Sequence, residues 1–184
     1  RIFHFVKLRL NKKGMFNING LKKVLDKNLR TKRLEDLPTP LVITATNINE
    51  AKTCYFSEGN IVDLVLASSS IPVLFKPYKI DGKDYIDGGV TNNFPVEPII
   101  DLCKKTIGVH VNPLSPYDPD EGLRHIAINS FHLTIASGIE EKKGELDHFI
   151  EPNKLRDFSY YDVHRGKEMY EIGYEETKKI FSKK

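Results

Sequence analysis

The stretch from Ala67 to Pro98, ASSSIPVLFKPYKIDGKDYIDGGVTNNFPVEP, constrains the fold more than any other part of the sequence. A helix that runs into its serines must stop before Pro72. The Asp81-Gly82 pair further on predicts a hairpin with a type I′ turn, because both residues accept a positive φ. The second strand of that hairpin ends at Asp87, directly before two glycines. The stretch therefore brings a carboxylate to the end of an apolar strand.

Segments with strand and helix patterns alternate along the rest of the chain. Largely buried strands are predicted at residues 40–48 (PLVITATNI), 106–113 (TIGVHVNP) and 145–152 (ELDHFIEP). Helices are predicted at residues 19–29, with Asn19 as a cap, and at 60–70, 92–103, 126–143 and 166–184. This alternation indicates an α/β fold around a mostly parallel or mixed sheet, and the length of 184 residues fits one domain, residues 1–184.

Composition and charge narrow the functional classes only slightly. The net charge of +3 permits contact with an anionic surface without favouring nucleic acid. The basic segment 1–13 could lie against lipid, although a solvated face with an apolar stripe is the preferred interpretation. Cys54 and Cys103 are far apart in the sequence, which favours a reducing compartment such as the cytoplasm. No apolar run has the length of a membrane span, and no phosphate loop, dinucleotide fingerprint or trusted metal-ligand spacing predicts a cofactor.

Asp87 is the strongest candidate for chemistry. In α/β folds, functional groups gather at the carboxyl ends of strands. Gly88 and Gly89 lack the Cβ atoms that would keep another backbone or a ligand away. A carboxylate held partly out of water has a raised pKa and is a better base near neutral pH. The alternative interpretation is a plain turn, of which Asp81-Gly82 is an example.

The ordered set of motifs resembles the patatin-like phospholipase family. The resemblance rests on PLVITATNI, the helix end ASSSIP, Phe75 and Pro77, the hairpin, YIDGGVTNNFPV and IGVHVNP. It implies a three-layer α/β/α domain and a hydrolase that cleaves lipid acyl esters through a Ser–Asp dyad, without a cofactor. It also implies that Asp87 is the catalytic base and that Gly88 and Gly89 shape its loop. Asn92, Asn93 and Pro95 would then set the helix start behind the base.

The chain departs from the family pattern at the nucleophile. The elbow motif G-x-S-x-G occurs nowhere in the sequence. The serines at 68–70 lack flanking glycines and fit a helix end, and Ser137 has isoleucines where the elbow glycines would stand. The chain also opens on Arg1 rather than Met. We therefore expect an N-terminally incomplete domain that meets a complementing N-terminal segment, with strand 40–48 or its neighbour short of a partner and Val42 and Ile43 poorly covered.

Two other interpretations stay open at this point. The chain could be a non-catalytic lipid- or partner-binding relic that kept the scaffold, or a structural subunit that another chain completes. The expected partners are a lipid or another acyl ester and, peripherally, a membrane surface. An upstream G-x-S-x-G in the same gene would separate the hydrolase from both alternatives.

Overall fold

The computed structural model describes residues 18–72, 74–113, 133, 136, 138–158 and 162–182. Its helices include α1 (Asn19–Asn28), α2 (Ile61–Ser68) and α3 (Gly166–Ser182). Its strands are β1 (Ile43–Asn47), β2 (Lys52–Phe56), β3 (Tyr78–Ile80), β4 (Lys83–Asp87), β5 (Ile107–Val109) and β6 (His148–Ile150). The chain divides into two compact units, Arg1–Asn93 and Phe94–Lys184.

The first unit is built on a four-stranded sheet in the order β2-β1-β4-β3, and every neighbouring pair is antiparallel. The central strand β1 is buried along its whole length. It has a partner on each side, and Ile43 is only 9% exposed. Although its neighbour β2 pairs on one side only among the described strands, the expectation that β1 itself would lack a partner and that Ile43 would be poorly covered is therefore wrong. The reason is local, because Asn47 Oδ1 accepts the amides of Asn49 and Glu50 and turns the chain back into β2.

Helix α2 covers one face of this sheet. Ile43 of β1 packs with Ile61 and Leu64 of α2, and Ala45 packs with Ala67. Because side chains alternate along a strand, Thr44 and Thr46 lie on the opposite face. Helix α2 is capped by Asn60, whose side chain accepts hydrogen bonds from the amides of Val62 and Asp63. The helix ends at Ser68, before Pro72, as the sequence predicts.

The hairpin formed by β3 and β4 confirms the predicted turn. Ile80 pairs with Lys83, which leaves two residues in the loop. Asp81 has φ 49° and Gly82 has φ 81°, the positive values that a type I′ turn requires. The turn thereby sets the register of β4, the strand that ends at Asp87.

Two predicted helix features are wrong. No α-helix begins at residues 92–103, where only Ile100–Leu102 forms a short 3-10 helix. Pro95 and Pro98 lack the amide hydrogens that a helical ladder needs, and each also disfavours the helical conformation of the residue before it. Asn19 is the first residue of α1 rather than its cap, and Ile18 holds the cap position without a side-chain hydrogen bond.

The second unit contains a parallel pair of strands, β5 and β6, at the predicted positions. Phe94, Val96 and Ile139 form its buried cluster, and the rings of Phe94 and Phe149 meet edge to face at 5.7 Å. Gly108 of β5 admits this packing, because a Cβ there would lie 2.4 Å from the Phe94 ring. Residues 138–143 and α3 are helical as predicted, and the remainder of the predicted helix 126–143 is largely outside the described residues.

The described elements thus combine helices with antiparallel and parallel strand pairing. The α/β class is confirmed, and parallel pairing within the described ranges is confined to β5 and β6. These residues therefore do not form a mostly parallel sheet. Their four-stranded sheet is antiparallel, and the parallel pair is a separate sheet. None of the helices in the described part of the chain combines the length and apolar character that a membrane span requires.

Candidate active site

The main chain of Asp87 is held at both of its polar groups. Asp87 is the last residue of β4 and pairs with Ala45 of the central strand β1. Its amide donates to the carbonyl oxygen of Ser70, just after α2, at 3.0 Å. Its carbonyl oxygen accepts from Thr46 Oγ1 of β1, also at 3.0 Å. The position of the Asp87 main chain is therefore set by two neighbours, the end of α2 and the central strand β1.

The Asp87 carboxylate is held by one oxygen only. Oδ1 accepts the Gly89 amide at 2.8 Å, whereas Oδ2 has no hydrogen-bond partner among the described residues. Burial raises the pKa of the Asp87 carboxyl above its ordinary value, and the Gly89 hydrogen bond opposes that rise. Both effects follow from the physics of a carboxylate, because a less polar environment disfavours the charge and a donor favours it. The free oxygen is the one that can accept a proton.

The two glycines after Asp87 have the close approaches that the sequence predicts. A Cβ on Gly88 would lie 2.4 Å from the carbonyl oxygen of Thr44 in β1. A Cβ on Gly89 would lie 2.8 Å from Asn93 Oδ1 and 3.1 Å from Asp87 Oδ1. Any side chain at either position would therefore push the turn away from the strand or from the carboxylate.

The asparagines that follow shape a loop rather than a helix start. Asn92 Nδ2 donates to the hydroxyl oxygen of Tyr55, on the adjacent strand β2, at 2.7 Å. Asn93 covers Gly89 with its amide oxygen. Pro95 lies in irregular backbone, half-buried, and no α-helix begins at it. The predicted helix start at Asn92, Asn93 and Pro95 is therefore corrected to an irregular, bent segment that follows the Asp87 turn.

None of the serines near this turn has the environment of a nucleophile. Ser70 Oγ is fully buried and donates to the Leu66 carbonyl oxygen at 2.7 Å, which is the bonding of a helix end. Ser68 and Ser69 close the same helix. Ser137 lies outside the described residues. Their sequence interpretation as helix-end residues is confirmed for Ser70.

Sequence reasoning missed the partners of Asp87 and a second polar pair. Thr46 was not singled out, although strand alternation puts it opposite the apolar face of β1, and Ser70 was considered only as a helix-end serine. In the second unit, buried His110 Nδ1 lies 2.8 Å from Glu151 Oε1. These residues are 41 positions apart, so no local spacing signals the pair. In the described ranges, no three His, Cys, Asp or Glu residues come together as metal ligands.

A half-buried carboxylate at a strand end, followed by two glycines in an α/β chain, is an arrangement that can perform acid–base chemistry. A family model described as patatin-like phospholipase matches residues 3–100, which include Asp87. The chain belongs to the patatin-like phospholipase family.

Three relatives illustrate the similarity. An uncharacterized protein of Acanthamoeba polyphaga mimivirus is 28% identical over 135 residues, 67% of this chain and 46% of the relative. An uncharacterized NTE family protein of Mycobacterium tuberculosis is 32% identical over 80 residues, 43% of this chain and 22% of the relative. A probable lipid hydrolase of Invertebrate iridescent virus 6 is 30% identical over 110 residues, which are 52% of this chain and 38% of the relative. The chain thus spans less than half the length of these relatives.

Proposed function

We propose that this chain supplies the general base, Asp87, of a serine acyl hydrolase that cleaves acyl esters of lipids. The observation that carries the proposal is the carboxylate itself, which is half-buried, has a raised pKa, and has one oxygen without a hydrogen-bond partner among the described residues. The family and the printed name of the iridescent virus relative, a probable lipid hydrolase, support the substrate class.

The chemistry that this carboxylate can perform is proton transfer from a serine. In the proposed dyad, Asp87 Oδ2 takes the serine proton as the serine oxygen attacks the ester carbonyl. The proton then passes to the leaving alcohol, and the acyl group stays on the serine. In the second half, Asp87 takes a proton from water, the new hydroxide oxygen bonds the acyl carbon, and the fatty acid leaves as the serine regains its proton. Backbone amides elsewhere in the protein would stabilise the oxyanion.

The nucleophile is proposed to lie outside these 184 residues, since none of their serines stands in a G-x-S-x-G elbow. The same absence is what favours the alternative function, a lipid- or partner-binding module that kept the scaffold and does no chemistry. The two functions make opposite predictions for the full polypeptide that contains this chain.

The test compares Asp87→Asn with Asp81→Asn in that full polypeptide, using a p-nitrophenyl acyl ester and a phospholipid. Asparagine keeps the shape of Asp87 but cannot take the proton, so we expect kcat to fall about 10²- to 10⁴-fold. Asp81→Asn is the matched control, because Asp81 lies in the hairpin turn, where asparagine tolerates the positive φ. A wild-type rate for Asp87→Asn would refute the role of Asp87, and a full polypeptide without turnover would favour the binding module.

A further inference from the structure

Three threonine hydroxyl groups form a continuous line that ends at Asp87. Thr46 lies on β1, Thr53 lies opposite it on β2, and Thr91 follows the 3-10 turn Gly88–Val90. Thr46 Oγ1 and Thr91 Oγ1 are 2.8 Å apart, and Thr53 Oγ1 and Thr91 Oγ1 are also 2.8 Å apart. Thr46 is 3% exposed, so its hydroxyl must find its partners inside the protein.

The number of protons fixes the direction of this line. Each threonine hydroxyl has one proton to donate, and the Asp87 carbonyl oxygen can only accept. Thr46 therefore donates to Asp87, which means that Thr91 must donate to Thr46. Thr53 in turn donates to Thr91. The hydrogen bonds all point toward Asp87, and aligned bonds of this kind polarise and strengthen one another.

The end of the line controls the peptide group that joins Asp87 to Gly88. The peptide group is planar, so a bond to the Asp87 carbonyl also fixes the Gly88 nitrogen. Two successive glycines would otherwise give the turn a wide choice of φ and ψ. With that plane fixed, and with the Gly88 carbonyl oxygen of the next peptide group accepting the Asn92 amide at 2.9 Å, the Gly89 amide stays where it can donate to Asp87 Oδ1 at 2.8 Å. The line thereby acts on the carboxylate through the main chain.

Burial alone does not explain the Thr46 bond. Thr44 lies on the same face of β1, and its buried hydroxyl has no hydrogen-bond partner among the described residues. The two threonines lie on the same face of β1 but differ in their hydrogen bonding, because Thr46 bonds to Asp87 and Thr44 has no partner among the described residues.

We propose that Thr46 is a positioning residue for Asp87, and that Thr91 and Thr53 form with it one directed chain that sets the orientation of the carboxylate. This inference rests on the proposed function of Asp87 as the base. Thr46 itself touches neither the substrate nor the proton in transit.

The kinetic test uses Thr46→Val, Thr46→Ser and Thr91→Val in the full polypeptide. Misplacement of a catalytic group by a fraction of an ångström lowers kcat steeply, so Thr46→Val should lose about 10- to 100-fold in kcat with little change in KM. Its acid limb in the pH profile of kcat/KM should shift, and Thr46→Ser should restore both quantities. Exposed Thr91→Val should give a smaller loss of the same kind without risk to folding. Thr177→Val, which removes a threonine hydroxyl that donates to Gly173 O in α3, is the matched control and should retain activity.

Two further measurements separate positioning from general stability. In the Asp87→Asn background, Thr46→Val should cause no further loss, because a positioning residue acts only through the group it positions. Amide hydrogen exchange at Gly89 should speed up in Thr46→Val and return to the wild-type rate in Thr46→Ser. Faster exchange without any kinetic role of Asp87 would refute the proposed function and retain the positioning. Unchanged Gly89 exchange, equal losses in Thr46→Val and Thr177→Val, or a loss that persists beside Asp87→Asn would overturn the inference.

Discussion

At the scale of single residues, Asp87 differs from the other shifted carboxyl groups in the described part of the chain. Glu35 and Glu50 are exposed and bonded to donors, and each has its pKa lowered to about 2. The carboxyls of Asp147 and Glu168 also have lowered pKa values, through the Thr106 amide and Arg165. The pKa of Asp87 is raised instead, because the effect of burial exceeds that of its single hydrogen bond from Gly89. A raised pKa at a strand end is what the proposed role of Asp87 as a base requires, whereas a surface ion pair lowers the pKa of its carboxyl.

The raised pKa of Asp87 also makes a prediction for stability. Because the folded state binds this proton more tightly than the unfolded state, the free energy of unfolding falls as pH rises from about 3.9 through the raised pKa. Asp87→Asn removes the buried charge, so it should gain stability relative to wild type as pH rises from 4 to 8. Thermal unfolding across that range, with Asp81→Asn as the control, measures the difference. A mutant that loses ground to wild type with rising pH would contradict the direction.

At the scale of elements, three backbone segments form hydrogen bonds with Asp87. The end of α2 offers the Ser70 carbonyl oxygen, β1 offers Thr46, and the 3-10 turn Gly88–Val90 returns the Gly89 amide to the carboxylate. The turn can do so only because it lies directly on β1 at Gly88. The register of β1 with β4 therefore matters as much for the site as the identity of Asp87.

Gly88→Ala tests this close approach. The new Cβ would lie 2.4 Å from the Thr44 carbonyl oxygen, and this atom has little room to move because it belongs to the main chain of the central strand β1. We expect the free energy of unfolding to drop by about 1–3 kcal/mol, the usual cost of overpacking. Gly173→Ala in α3 is the matched control, since nothing lies within 4 Å of its added Cβ. That change should stabilise by about 0.5–1 kcal/mol. Denaturant unfolding of both variants decides the matter, and equal stabilities would show that the turn is free to move.

At the scale of the whole molecule, the proposed chemistry needs a nucleophile in addition to Asp87. The described residues include the proposed base and the groups bonded to it, and the sequence holds no serine elbow. A base without a nucleophile cannot form an acyl-enzyme.

The 184-residue chain on its own should therefore not hydrolyse esters. Purified chain and full polypeptide are incubated in parallel with a p-nitrophenyl acyl ester, and released p-nitrophenol is recorded. The chain is expected to match the uncatalysed rate, whereas the full polypeptide turns the ester over. Hydrolysis by the chain well above that rate, if abolished by a serine-directed phosphonate, would show a nucleophile among its own serines.

The sequence by itself determined the elements whose signals are local. Proline ends α2, a two-residue Asp-Gly loop turns the β3–β4 hairpin, and β-branched residues predict β1, as the described residues confirm. The predicted helix at 92–103 is wrong because a helix that starts at Asn92, Asn93 and Pro95 would also contain Pro98, which lacks the amide hydrogen that the helical ladder needs. Asp87 could be singled out because an acidic residue and two glycines stand side by side in the chain.

What only the tertiary structure decided is everything that depends on register. Thr46 lies 41 residues from Asp87 and 45 from Thr91, and no pattern within a short window encodes such a pairing. The sheet order β2-β1-β4-β3 brings these residues together, and a shift of one residue would turn Thr46 to the α2 face. Desolvation of the carboxylate is likewise a property of the packed molecule. Asp87 could thus be proposed as the base from a local pattern, whereas its orientation and its pKa depend on the fold.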